Sequence, residues 1–416
     1  MSTEKRRTIR SIEWLTFFLA DVQTGLGPFL AAYLAANGWN PARVGYALTF
    51  GGLVTVATQT PAGALIDSVR HKRALMAGGL AVLVTGALLL MGKLNWIEVY
   101  FAQLFIGGSA ALLAPLVTAI TLGVAGSGAF DRVFGKIQAF NSAGNVFTAL
   151  LVAYVSYTFG YRLIFALAAG LAVPAAISLF CINPSEIDYA KARGATDEKN
   201  AHTTSSFSVL LKDRVLISFL GAAFLFHLAN AAMLPELGEL LARDTPKAAG
   251  PFMSACVIVT QLVITVSAAW IGRKAASNGR KPLLLAGFAV LPIRGVLYTL
   301  THVAGTLIAI QVLDGVANAI FGVVSILVIK DRTGGTGRFN VAAGALATMV
   351  GIGAALSNTV GGVLVQQVSY RASFLGLSLI AVAAVAVLWL LIPETLPKAV
   401  NLVTNLPPLM GETEGL

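Results

Sequence analysis

The 416-residue chain is 56% hydrophobic and only 12% charged, with mean hydropathy +0.79; a soluble domain is about 25% charged. A soluble globular protein is excluded, and an integral membrane protein with the lipid bilayer as its surroundings remains. The net charge of +10 does not point to nucleic acid, because the cations sort by side of the membrane instead of clustering.

The basic segment 1–13 precedes the first apolar run. No small-residue cleavage site follows before Asp21, so the run reads as an uncleaved helix. Apolar runs of about 20 residues divided by short polar or Gly/Pro-marked connections predict twelve spans. Six of them (14–36, 43–66, 74–93, 97–122, 136–158, 161–182) form an N-terminal bundle, 14–182. The other six (214–242, 248–272, 282–301, 304–330, 339–367, 371–392) form a C-terminal bundle, 214–392. Polar residues 183–213 read as a cytoplasmic linker, and 393–416, with Pro407 and Pro408, as a cytoplasmic tail without a folded domain. On this layout 22 of the 29 Lys and Arg residues fall on the side of the termini, six on the other side, and Arg294 inside a span. The positive-inside bias therefore puts both termini in the cytoplasm, with the protein in the cytoplasmic (inner) membrane. Cys181 and Cys256 lie in apolar spans and the four histidines lack ligand spacing. No disulfide, metal or cofactor is expected.

Polar groups inside spans are costly and are the natural place to look for function. The first span carries Asp21 and Gln23, followed by Gly25, Gly27 and Pro28, which weaken the helix. Asp21 reads either as part of a water-filled path or as a carboxylate held by a neighbouring helix. The seventh span carries His227 and Asn230; aligning Pro28 with Pro235 sets Gln23 opposite Asn230. His227 can carry a coupling proton or serve as a neutral donor. Glu236 and Glu239, late in that span, are expected at the outer mouth, attracting cations or simply solvated. In the tenth span Gln311, Asp314, Asn318, Gly322 and Ser325 recur at three- and four-residue steps, one helical face. Arg294 of the ninth span lies at a similar depth, and an Arg294–Asp314 ion pair would let the membrane tolerate both. Such a pair is either a fixed strut or a contact broken by substrate or a proton. The fifth span adds Gln138, Asn141 and Asn145 and the eleventh Asn358, amides suited to a hydrogen-bonding ligand.

The chain also repeats itself. Residues 73–83 align with 281–291 at an offset of 208 residues, which also pairs Gln103 with Gln311 and Gly107 with Gly315. A constant register through several helices describes two parallel repeats about an axis along the membrane normal. Between the second and third spans stand Gly63, Asp67 and the basic run Arg70, His71 and Lys72. This segment resembles the loop signature G-x-x-x-D-x-x-G-R-K of the major facilitator superfamily, with Arg70 in place of the second glycine. The second half keeps Gly272, Gly279, Arg280 and Lys281 but has Ala276 where the acid would be.

The resemblance covers the whole chain and implies an all-α membrane protein of twelve transmembrane helices in two pseudo-symmetric bundles. It further implies a secondary active transporter, not an enzyme, that moves a small organic solute by alternating access. The two loops would then gate the cytoplasmic side, with Asp67 holding it shut in the outward-open state. Asp21, His227 and Asp314 are the expected proton or cation groups, and Gln23, Asn141, Asn145, Asn230, Asn318 and Asn358 the expected substrate contacts. Proton-coupled efflux by a monomeric antiporter is expected first, and coupled uptake or facilitated diffusion second. A non-transporting sensor or scaffold is the reading from another class. Two departures weigh against a typical multidrug exporter: Gln103 stands where many proton-coupled drug exporters of this superfamily have an arginine, and the fifth span lacks G-P-x-x-G-G.

Overall fold

A computed structural model of the chain describes residues 3–24, 26–189, 192, 212–333 and 339–396; side chains at 3, 21–27, 127, 128, 131 and 340 are outside that description. The N-terminal half is built from α1 (Thr3–Thr24), α2 (Leu26–Ala36), α3 (Pro41–Ser68), α4 (Lys72–Leu89), α5 (Trp96–Ala125), α6 (Ser127–Phe159) and α7 (Arg162–Phe180). The C-terminal half comprises α8 (Arg214–Asn230), α9 (Met233–Asp244), α10 (Pro246–Asn278), α11 (Lys281–Tyr298), α12 (Ala304–Thr333), α13 (Phe339–Gln367) and α14 (Tyr370–Leu391). Taken as pairs, α1 with α2 and α8 with α9 make the first crossing of each half, giving six crossings per half. Among the described residues, ten segments are long and apolar enough to cross a membrane, nine of them single helices and the tenth α8 with α9 taken together. The helix α3 is not one of them, because Thr49, Thr55, Thr58, Gln59 and Thr60 dilute it. Most of the expected linker and tail lies outside the described residues.

Local chemistry starts the helices where the sequence changes character. Asn40, Asn95 and Ser369 accept from backbone N–H groups in the first turns of α3, α5 and α14. Asp213 does the same for α8, accepting from Val215 and Leu216, while also binding Arg332 of α12 at 2.8 Å. The helix that carries the first expected span extends eleven residues ahead of residue 14. The helix begins at Thr3 because Thr8, Ile9 and Ile12 recur at helical spacing and are buried, while Arg6, Arg7 and Arg10 are not.

The start of α1 and the end of α14 lie on one face of the bundle, called here the termini face, and the helices run between it and the far face. The two halves meet on the far side, along a seam with little side chain in it. A Cβ at Gly45 would land on the Asn358 carbonyl, one at Gly362 on the Pro41 carbonyl, and one at Gly52 2.8 Å from the Ala355 Cβ. Glycine is what lets the α3 and α13 backbones touch. Thr49 Oγ1 donates to the Ala355 carbonyl at 2.6 Å, and Arg243 Nη2 reaches the Trp39 carbonyl at 3.0 Å. α2 also packs on α9, and α6 on α10 where Gly250 accommodates Ser156.

Candidate functional site: a buried polar network and an uncharged cavity

α12 presents one turn-spaced polar face, and the helices around it answer it. Arg294 of α11 is 1% exposed. Its Nη1 is paired with Asp314 Oδ1, and its Nη2 donates to Asn230 Oδ1 at 2.6 Å and to the Asn230 carbonyl at 3.3 Å. That carbonyl is free to accept because α8 stops at Asn230, where the last C=O groups lack helical partners. Asp314 also accepts from Asn318 Nδ2 at 3.0 Å, one turn along α12, and from Thr260 Oγ1 of α10 at 3.3 Å. The Arg294 guanidinium lies 5.6 Å from the Tyr298 ring centre, and the Tyr298 hydroxyl donates to Gln311 Oε1. One ion pair thus ties together α8, α10, α11 and α12. Removing either charge would strand the other in a low-dielectric interior.

His227 sits one turn before Asn230. Its Nδ1 lies 3.1 Å from the Ala223 carbonyl, and its ring contacts Phe226 and, edge-on, Phe321. It neighbours the network without a hydrogen bond to Asp314.

The N-terminal half holds a cavity of about 440 Å³ lined by residues of α1, α3, α5 and α6. Its polar lining is Thr16, Thr55, Gln59, Thr118, Gln138 and Asn141, with Phe134 as an aromatic wall and no charged side chain among the described residues. Asn145 is buried behind it and donates to Asn141 Oδ1 at 3.1 Å. Asn358 is elsewhere, in the far-face seam, with its side chain turned back to the Ala354 carbonyl at 3.1 Å. Asp21 and Gln23 belong to α1, but their side chains lie outside the described residues.

The two gate loops differ. Asp67, Arg70 and His71 are exposed, and Gly63 has open space where a Cβ would be. Lys72 is buried and donates to the Ile66 carbonyl at 2.6 Å; Arg73 donates to that of Phe180 at 2.9 Å. In the second loop Gly279 adopts φ 97°, a conformation that favours glycine. Arg280 binds Asp331 at 3.1 Å and the Ala275 carbonyl, while Lys281 Nζ donates to that of Trp389 at 2.8 Å. Gly272 lies beside it, 3.9 Å from Val323 by its would-be Cβ. The backbone N–H groups of Arg280 and Lys281 donate to Glu394 at 2.8 and 3.0 Å. The lysine and arginine contacts match between halves at the repeat register, 72 with 280 and 73 with 281.

Glu236 and Glu239, expected at the outer mouth, are instead buried at 2% and 3% exposure, Glu236 being held between Gly361 of α13 and Ser373 of α14. Thr260 and Tyr298 were also not singled out. Tyr298 lies one turn after Arg294, the one signal that could have found it.

The model of the Major Facilitator Superfamily matches residues 14–293 and 252–408. The chain belongs to the major facilitator superfamily. An uncharacterised MFS-type transporter of Mycobacterium tuberculosis strain CDC 1551 / Oshkosh is 40% identical over 411 residues, covering 98% of each chain. Its counterpart in strain ATCC 25618 / H37Rv matches equally. Among solved structures, a mutant of the nucleoside transporter NupG superposes with TM-score 0.78 at 15% identity, covering 93% of this chain and 100% of that one. A D-xylose-proton symporter gives TM-score 0.72 at 12% identity, covering 94% and 98%. At such identities these structures speak to the fold alone, and the chain is a multi-pass membrane transporter of this superfamily.

Proposed function

We propose that this superfamily member is a proton-coupled secondary transporter that exports a small, uncharged, hydrogen-bonding organic solute. The observation that carries the reading is the Arg294–Asp314 pair with Asn230, Asn318 and Thr260, a charge network joining four helices beside His227. Protonation of Asp314 would release Arg294 and loosen that network, so the pair can register a proton as well as hold the fold. An uncharged solute is favoured because the described lining of the N-half cavity offers hydroxyls and amides but no charge. The nucleoside transporter and the D-xylose-proton symporter of similar fold carry solutes that are also neutral and rich in hydrogen-bonding groups.

In this reading Asp21, His227 and Asp314 take the proton. Gln23, Asn141, Asn145, Asn230, Asn318 and Asn358 contact the solute. The loops at Gly63–Lys72 and Gly272–Lys281 gate the termini face, which the charge bias makes cytoplasmic in the inner membrane. The protein works as a monomer. Flux of radiolabelled nucleosides and pentoses in proteoliposomes with an imposed pH gradient tests this. Solute should move against its gradient at the expense of the proton gradient, and Asp314→Asn should uncouple the two. Flux indifferent to pH in the wild type, with Asp21→Asn, His227→Ala and Asp314→Asn all transporting normally, would refute proton coupling.

A further inference from the structure

The least expected pair of groups in the molecule lies outside that network. Glu236 and Glu239 stand three residues apart on α9 and so share a face. Each has an oxygen, Oε2, that is buried without a hydrogen-bond partner. Among the described residues, neither is in an ion pair with a cation. Glu236 Oε1 accepts from Ser373 of α14 at 2.8 Å and occupies the space where a Cβ of Gly361 on α13 would stand. Gly361 is followed by Gly362, whose other side is pressed on Pro41 in the opposite half. The carboxylates therefore sit directly behind the seam that closes the far face.

The surrounding titratable groups do not neutralise them. Arg243, one turn after Glu239 on α9, places a positive charge that acts on Glu239 and on Tyr370. It is exposed, forms no ion pair with either glutamate among the described residues, and spends its Nη2 on the Trp39 carbonyl across the seam. Tyr370 of α14 faces both glutamates. On α2 only Tyr33 titrates, and its hydroxyl donates to the Leu90 carbonyl. α10 contributes Lys247, which is exposed, and Cys256, which lies near Arg294 and Asp314. α13 carries no titratable side chain. Two neighbouring carboxylates sealed from water, with an exposed arginine beside them that pairs with neither, are not both ionised; at least one of them carries a proton. Opening the far face would let water reach them and allow that proton to leave.

We infer that Glu236 and Glu239 form a proton-binding site that latches the far face shut: protonated when the seam is closed, ionised when it opens. This rests on the alternating-access reading above and adds a second place where protons act, separate from the Arg294–Asp314 network. A proton taken up on closure and released on opening makes the open-to-closed ratio rise by about tenfold per pH unit in the titrating range.

Spin labels at Asn37→Cys and Ala248→Cys, in a Cys181→Ser background reconstituted in nanodiscs, report the far-face distance by pulsed resonance. No solute and no pH gradient are needed. In the otherwise native protein the long-distance population should grow as pH rises. In Glu236→Gln/Glu239→Gln it should stay low and flat at every pH, and in Gly361→Ala, which displaces the Glu236 carboxylate, it should be raised even at low pH. If the double variant does not fold, Glu236→Gln alone must show a reduced slope. A pH response unchanged in the glutamine variants overturns the inference. So does a response abolished by Asp314→Asn and untouched by the glutamine variants, which would leave proton coupling of transport standing.

Discussion

The two halves share a register yet fill it differently. At the 208-residue offset, Arg294 and Asp314 correspond to Gly86 and Ile106. In the C-terminal half the two positions form a buried ion pair; in the N-terminal half a Cβ on Gly86 would stand 2.9 Å from Ile106 Cγ1. Gln311 and Gln103 diverge similarly. Gln311 accepts from Tyr298 beside the ion pair, whereas Gln103 donates to the Ala47 carbonyl at 3.0 Å and fastens α5 to α3. What the two repeats keep in common is the approach of helices: Gly107 lies on α3 and Gly315 on α10. One half of the scaffold carries the charge and the other stands without it, which separates what holds the bundle from what can respond to a proton.

Substitutions at paired positions break or sharpen that contrast. The largest effect is expected from Asp314→Leu, which strands Arg294 at a cost of about 3–5 kcal/mol. Thermal unfolding in detergent should show it as a marked loss of stability. Replacing both partners, Arg294→Met with Asp314→Met, should restore stability to near the native value and still abolish coupled flux. Native flux in that double variant would reduce the pair to architecture. Next comes Gly86→Ala, whose methyl meets Ile106 and, at 3.0 Å, the Ala102 carbonyl. Overpacking there should cost about 1–3 kcal/mol, partly recovered by Ile106→Val, without altering the pH dependence of transport.

Smaller still, Gln103→Leu should lose about 1 kcal/mol with its bond to Ala47 and leave coupling intact. Gln311→Leu should cost a similar amount but perturb transport, because Tyr298 stacks on Arg294. Equal transport defects in both would erase the distinction between halves. The smallest effect is at Glu394. Partial burial draws its carboxyl upward, but the N–H groups of Arg280, Leu396 and Lys281 outweigh that and hold it below the usual range. A carboxyl lowered on folding stabilises the protein above its unfolded value, about 4.3, and ceases to as pH falls through the folded one. The stability difference between native protein and Glu394→Gln should thus be present at neutral pH and vanish in acid.

The spans were legible because apolar length is a one-dimensional quantity, and the repeat because register survives in sequence. Arg294 and Asp314 stood out because each is intolerable in lipid alone. Asn230 as their third partner was half legible: its place in the seventh span could be read, but not that α8 ends there and frees its carbonyl. Glu236 and Glu239 were misread for a three-dimensional reason. A carboxylate near the end of a span ordinarily reaches water, and only the slot left by Gly361, far along the chain, shows that these do not. The helix before residue 14 was obscured by Arg6, Arg7 and Arg10, whose charges masked the buried stripe of Thr8, Ile9 and Ile12.

The glycine seam has a consequence for speed. Where α3 meets α13 the surfaces in contact are carbonyls, Cα atoms and single methyl groups, so parting them strips no long side chain from a pocket and immobilises none on return. Its cohesion is short-ranged: dispersion between backbones, and the hydrogen bonds of Thr49 to the Ala355 carbonyl and of Thr359 to Thr49, all lost within the first ångströms of separation. Such a joint opens abruptly and responds little to ionic strength. The rate of exchange at the far face would then be set by what lies behind the joint and scarcely by the joint itself.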